Sequence, residues 1–180
     1  MSINLFASFE KYNSKANKWE DANLYEKKPD GTYSMADIIY GGRSYSDCIM
    51  GKEAFDYIGE DEQGKAMYQK RKLLDELQEF IRSKYINEGE PSDASDTTRD
   101  IFDRIRQRVV DPILYPYCPP SITYTLGDLM YIKNTAALIS EEAEIFYDEN
   151  FKKLEEALSV IARAHYVFMS KDIRVVLWVQ

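Results

Sequence analysis

Apolar positions change period along the chain, and each change marks an element. Ile3, Leu5, Ala7 and Phe9 alternate with Asn4, Phe6, Ser8 and Glu10, the period of two of a strand. Residues 13–17 (NSKAN) carry turn chemistry, residues 19–25 can return as a second strand, and Lys27-Lys28-Pro29-Asp30-Gly31 predicts another turn. Residues 35–40 (MADIIY) offer a further short apolar segment, closed by Gly41-Gly42-Arg43. The period then lengthens. Leu73, Leu74, Leu77, Phe80, Ile81 and Tyr85 recur at steps of three and four, opposite Lys70, Arg71, Lys72, Asp75, Glu76 and Glu79. That spacing predicts an amphipathic helix over 64–87. Residues 87–96 (NEGEPSDASD) hold no apolar residue but Ala94 and read as a mobile loop.

Thr97 and Asp100 match a capping box, followed by the stripe Ile101, Phe102, Ile105 and Val109 and a stop at Asp111-Pro112. Pro112, Pro116, Pro119 and Pro120 make residues 111–121 an extended connector. A short strand over 122–125 and a helix over 126–139 follow. Ser140 caps a further helix, with Glu141 and Glu142 in its first turn and Phe151, Leu154, Leu158, Ile161 and Phe168 on its apolar side. Finally Ile173, Val175, Leu177 and Val179 alternate with Arg174, Val176 and Trp178, apolar on both faces, which places this strand in the middle of a sheet. The expected fold is α+β. A small antiparallel sheet, built from an N-terminal meander over 2–40 and the C-terminal strand, packs with about four helices in one domain over 1–180.

Composition narrows the class. The 180 residues carry 23 Lys+Arg against 31 Asp+Glu, a formal charge of −8, with 44% hydrophobic residues. A chain of this length buries roughly 70% of its unfolded surface and needs no disulfide or metal staple. The charge argues against direct strong binding to nucleic acid or to an anionic membrane. No apolar run approaches the roughly 18–20 residues of a membrane span. The N-terminus MSINLFASFEKYNSK lacks the pattern of a signal peptide, so a cytoplasmic setting is expected.

Catalytic chemistry is sparse. There is no phosphate-binding glycine loop followed by Lys-Ser/Thr and no dinucleotide fingerprint. Gly41-Gly42-Arg43 fits either an anion contact or a tight turn with an exposed Arg. His165, the one His, falls on an apolar helix stripe and reads as a packed side chain. Asp47 beside Cys48 opposes thiolate formation, and prolines surround Cys118. Two scattered Cys and one His do not make a standard zinc site. No catalytic residue, metal or cofactor is assigned. Two acidic stretches without a basic residue are more distinctive. One holds Glu88, Glu90, Asp93 and Asp96; the other holds Glu141, Glu142, Glu144, Asp148 and Glu149, interleaved with Phe146 and Tyr147. Each fits a solvated segment, or a surface that imitates nucleic-acid phosphates and docks in a basic groove. The 14 Tyr, with Trp19 and Trp178, supply both core and interface anchors.

Four segments in order carry a resemblance. They are Asn4-Leu5-Phe6-Ala7-Ser8-Phe9-Glu10 leading to Lys18-Trp19-Glu20; Tyr40-Gly41-Gly42-Arg43-Ser44-Tyr45; Thr123-Tyr124-Thr125-Leu126-Gly127-Asp128-Leu129; and Asp172-Ile173-Arg174-Val175-Val176-Leu177-Trp178. The pattern resembles a family of uncharacterised proteins encoded by bacteriophages and prophages. It touches both ends of the chain and about a quarter of its residues. It departs at Cys118-Pro119-Pro120-Ser121, where the family often carries a His/Ser-rich stretch, so any role of those histidines is missing here. The resemblance implies a phage accessory protein in the cytoplasm of a bacterial host. Such a protein would bind and inhibit a host nucleic-acid-processing or defence enzyme with a basic surface, a CRISPR nuclease among the candidates. Glu141, Glu142, Glu144, Phe146, Tyr147, Asp148 and Glu149 form the preferred contact set, joined by Arg43 and Tyr45, with residues 88–96 second. Two other readings compete. One is a small Mg²⁺-dependent enzyme on a nucleotide or nucleic acid, with Arg43 on phosphate; the other is a phage structural or assembly protein with homotypic contacts.

Overall fold

A computed structural model of the chain describes residues 5–24, 26–27, 33–34, 49–51, 55–70, 72–108 and 118–179. Its centre is a five-stranded antiparallel sheet of β1 (Leu5–Asn13), β2 (Lys18–Asp21), β7 (Tyr85–Ile86), β8 (Ser121–Thr125) and β9 (Ile173–Val179), in the order β2-β1-β9-β8-β7. The N-terminal hairpin and the C-terminal strand therefore share one sheet, and the C-terminal strand is central, between β1 and β8. The register explains why β9 is apolar on both faces apart from Arg174. Directly paired residues point to the same face of a sheet. Phe9, Val175 and Tyr124 form one row, and Ala7, Leu177 and Ile122 the next. These rows meet α1 (Lys72–Arg82), α3 (Leu126–Ile139), α4 (Glu141–Asn150) and α5 (Lys152–Ala164) in the main core. On the opposite face Trp178 and Val176 pack with Phe102 and Ile105 of α2 (Asp96–Gln107) and with Cys118. The fold is α+β, with helices on both faces of the sheet.

The β1–β2 turn forms where its residues predict. Asn13 Oδ1 accepts from the backbone N–H groups of Lys15 and Ala16, at 3.0 and 3.1 Å, and Asn17 sits at φ 54°. Two short pairs stand apart from the main sheet: β3 (Glu26–Lys27) with β4 (Tyr33–Ser34), and β5 (Phe55–Glu60) with β6 (Ala66–Lys70). The predicted Lys-Pro-Asp-Gly turn, the segment 35–40, Gly41-Gly42-Arg43, and most of the connector lie outside the described residues.

Four expectations are corrected. The helix predicted over 64–87 covers only Lys72–Arg82. Asp61 Oδ1 accepts from Gln63 N and Lys65 N, and Gly64 lies at φ 79°, so this segment closes a hairpin and residues 66–70 run as a strand. At the other end Tyr85 and Ile86 pair with Ile122 and Ser121. The second helix is capped by Ser95 rather than Thr97: Ser95 Oγ accepts from Thr98 N at 3.2 Å. The loop before it is fastened rather than mobile. Glu90 meets Arg106, Asp93 meets Arg174, and Ser95 N donates to Glu10. Fourth, the long helix after Ser140 is two helices that break at the fully buried Phe151. Asn150 Nδ2 donates to the Phe146 carbonyl at 2.8 Å, closing the first of them. Phe168 lies beyond the second and is exposed.

The end of α5 carries backbone strain. Val167 N donates to Ala162 O and Tyr166 N to Arg163 O, the hydrogen-bond pair that usually places glycine in the left-handed position. Here Tyr166 occupies it at φ 56°, and its side chain is 81% exposed, so no packing offsets the strain. A left-handed non-glycine residue costs on the order of 1–3 kcal/mol, less the 0.4–1 kcal/mol that glycine loses through unfolded-chain entropy. Tyr166→Gly is expected to raise stability by about 1 kcal/mol, read as a higher midpoint of urea unfolding at unchanged slope.

Candidate functional site: the outer face of α4

Ser140, in extended conformation, caps α4, and its Oγ accepts from Ala143 N at 3.1 Å. Glu141, Glu142 and Glu144 occupy the first turn, where the helix dipole favours negative charge. The helix buries Ala143, Phe146, Tyr147 and Asn150 and exposes Glu141, Glu142, Glu144, Ile145, Asp148 and Glu149. None of these five carboxylates has an ion-pair partner among the described residues. The face is a run of free negative charge around one half-exposed apolar side chain, Ile145.

This arrangement corrects two members of the expected contact set. Phe146 and Tyr147 are 4% and 1% exposed. They hold the helix down and cannot meet a partner. The Tyr147 ring stacks on Phe151 at 6.0 Å and its hydroxyl donates to Glu155. Ile145 is the apolar residue that sequence reading passed over; its signal is the helical period itself, which turns it outward once 143, 146, 147 and 150 point in. Arg43 and Tyr45 lie outside the described residues. The second acidic stretch is partly neutralised in space. Glu90 takes Arg106 through both oxygens, at 3.2 and 2.5 Å, and Asp93 takes Arg174 at 3.0 Å. A carboxylate held by a guanidinium presents little free charge to a partner.

Beside the acidic face lies a polar groove of about 470 Å³ between α3, α4 and α5. Lys133, Lys152 and Arg163 line it together with Asp148, Glu155 and Glu156, and Ser159 lies among them. Lys133 Nζ stands 3.7 Å from Glu155 Oε1. The groove offers ionic recognition with both signs. His165 caps the end of α5, its Nε2 3.1 Å from the Ala22 carbonyl. Burial, and then the bond to Glu155, push the Tyr147 phenol well above its ordinary range, so it stays protonated and donates. Burial likewise pushes the Cys118 thiol up, against the pull of Arg106, which makes it a poor nucleophile. Among the described residues no group of three or more His, Cys, Asp or Glu side chains is placed to hold a metal ion. No helix of the described residues is long and apolar enough to cross a membrane.

The buried phenols predict an alkaline transition. The pKa of Tyr124, wholly buried, and that of Tyr147 are both raised in the folded chain, first by burial. Above about pH 10 the unfolded chain loses those protons and the folded chain keeps them. The stability they contribute is complete below pH 10 and is lost as pH rises from there. Tyr147→Phe should therefore flatten the fall in unfolding free energy between neutral pH and pH 11, followed by denaturant titration.

No protein-family model, no curated protein and no solved structure matches this chain. The class it belongs to, α+β with an antiparallel sheet, rests on its own structure.

Proposed function

We propose that this chain is a binding protein that occludes a basic, nucleic-acid-binding surface of a host nucleic-acid-processing or defence enzyme, with the outer face of α4 as the contact. The observation that carries the reading is the state of its charges: Glu141, Glu142, Glu144, Asp148 and Glu149 are exposed on one capped helix, with no ion-pair partner among the described residues. Fixed carboxylates at helical spacing present a polyanionic row to a groove built for phosphates, with fast, salt-sensitive association. Ile145 gives the row an apolar point at which water is expelled. The bacteriophage setting, the bacterial cytoplasm and a CRISPR nuclease as target follow from the resemblance in sequence.

The test is affinity capture with tagged protein from bacterial lysate, washed at low and at high salt and read by mass spectrometry. One dominant nucleic-acid enzyme, retained at low salt and released at high salt, is expected. Capture of no such enzyme contradicts the reading.

A further inference from the structure

We infer that the polar groove between α3, α4 and α5 is a binding site for a short peptide, a linear zwitterion with a cationic and an anionic end. The groove measures about 470 Å³, within the roughly 300–1,000 Å³ of small-molecule sites. Its charges fall into two sets. Glu155 is already engaged: the buried Tyr147 donates its hydroxyl to it, and Lys133 Nζ stands 3.7 Å from it. Lys152, Glu156 and Arg163 line the same groove and are exposed. None of these three has an ion-pair partner among the described residues. Free groups of both signs therefore sit along one preformed wall.

Lys152, Glu156, Ser159 and Arg163 follow one another along α5 at steps of four, three and four, the spacing of one helix face. Glu156 and Arg163 are seven positions apart, which is about 10 Å along the axis at 1.5 Å per residue. An extended tripeptide spans the same length, at roughly 3.3–3.6 Å per residue. Glu156 takes the ammonium end, and the forked guanidinium of Arg163 takes the carboxylate. Ser159 stands between them, a hydroxyl that both donates to and accepts from a peptide backbone. Val160, half-exposed in the lining, gives the ligand's side chains an apolar contact. A ligand of one sign fits less well. A phosphate or nucleotide would meet Asp148, Glu155 and Glu156 beside the cations, and like charges in contact are costly. A metal ion finds no group of three or more ligating side chains among the described residues. The site is independent of the α4 reading, since of the acidic face only Asp148 borders the groove.

Titrating trialanine into the full 21.0 kDa chain, followed by amide chemical shifts, tests the site. The expected result is a saturable shift at Glu156, Ser159, Val160 and Arg163 at millimolar peptide, because exposed ion pairs are individually weak. Acetylating the peptide's amino end or amidating its carboxyl end should each weaken binding about two- to fivefold. Glu156→Gln and Arg163→Gln should do the same from the protein's side; both side chains are exposed, so the fold should tolerate either change. In Glu156→Gln, acetylation should add nothing further, because both changes remove the same ion pair. Inorganic phosphate at equal concentration should leave these amides unshifted. No saturable shift, equal binding of the peptide blocked at both ends, indifference to either substitution, or phosphate binding in the peptide's place would each overturn the site.

Discussion

Arg174→Ala lowers stability by about 3–5 kcal/mol, the cost of leaving a buried charge without its partner. Glu10 is 0% and Arg174 6% exposed, and Arg174 Nε lies 2.7 Å from Glu10 Oε1. They face each other directly across β1 and β9 in the middle of the sheet. The second Glu10 oxygen accepts from Ser95 N at 2.6 Å, so the carboxylate also fixes the residue that caps α2. The guanidinium lies over the Trp19 ring at 4.0 Å and reaches Asp93, which is too exposed to add much. Removing the cation therefore strands Glu10 and loosens the strap formed by residues 90–95. The double variant Glu10→Leu/Arg174→Met should cost less than the single one, because two matched apolar groups replace the pair without an orphan charge. Urea midpoints at constant slope measure both. A loss below 1 kcal/mol for the single variant would mean that Glu10 finds water or another donor.

This pair also shows what the sequence could and could not tell. The alternation at 173–179 announced a central strand, and its polar exception, Arg174, was visible within it. Its partner, 164 positions away, was not, because register between distant strands is set by the whole sheet rather than by local pattern. The same distance effect misled the reading of the acidic loop: Glu90 and Asp93 have no base near them in sequence, yet Arg106 and Arg174 reach them in space. The helix over 126–139 and the Ser140 cap were legible because both rest on local chemistry, and Thr125 closes the former with a capping box to Asp128. The β5–β6 hairpin was missed because Ala66, Met67 and Tyr68 fit a helix as well as a strand. The turn at Asp61–Gly64 decides between them, and only its last residue, Gly64, falls within the helix predicted over 64–87. At the site itself, the acid row on 141–149 was legible in composition. Which side chains point outward was not, because the break at Phe151 resets the phase of the helix.

The second large effect concerns that row. Replacing Glu141, Glu142 and Glu144 by Lys turns three exposed carboxylates, without an ion-pair partner among the described residues, into cations. Stability should fall only modestly, through lost dipole stabilisation of about 0.3–1 kcal/mol per site. Association with a basic partner should suffer far more. Steering by complementary charge raises on-rates by about 10–1,000-fold at low salt, and like charges in contact cost several kcal/mol. The triple variant should bind the captured enzyme at least about 100-fold more weakly at low ionic strength, and the difference should shrink as salt is added. Stopped-flow or biosensor rates across a salt series read both. The same substitutions at Glu88, Glu90 and Asp93 should act mainly on stability, because Glu90 already holds Arg106 and a Lys at 93 would stand beside the buried Arg174.

Occlusion of a nucleic-acid groove is tested most directly by competition. With the captured enzyme immobilised, this chain bound to it and a cognate oligonucleotide titrated in, the account predicts mutual exclusion: the oligonucleotide displaces the chain, one for one. The triple Lys variant should fail to exclude the oligonucleotide. A stable ternary complex, with chain and oligonucleotide bound together at full occupancy, would contradict it.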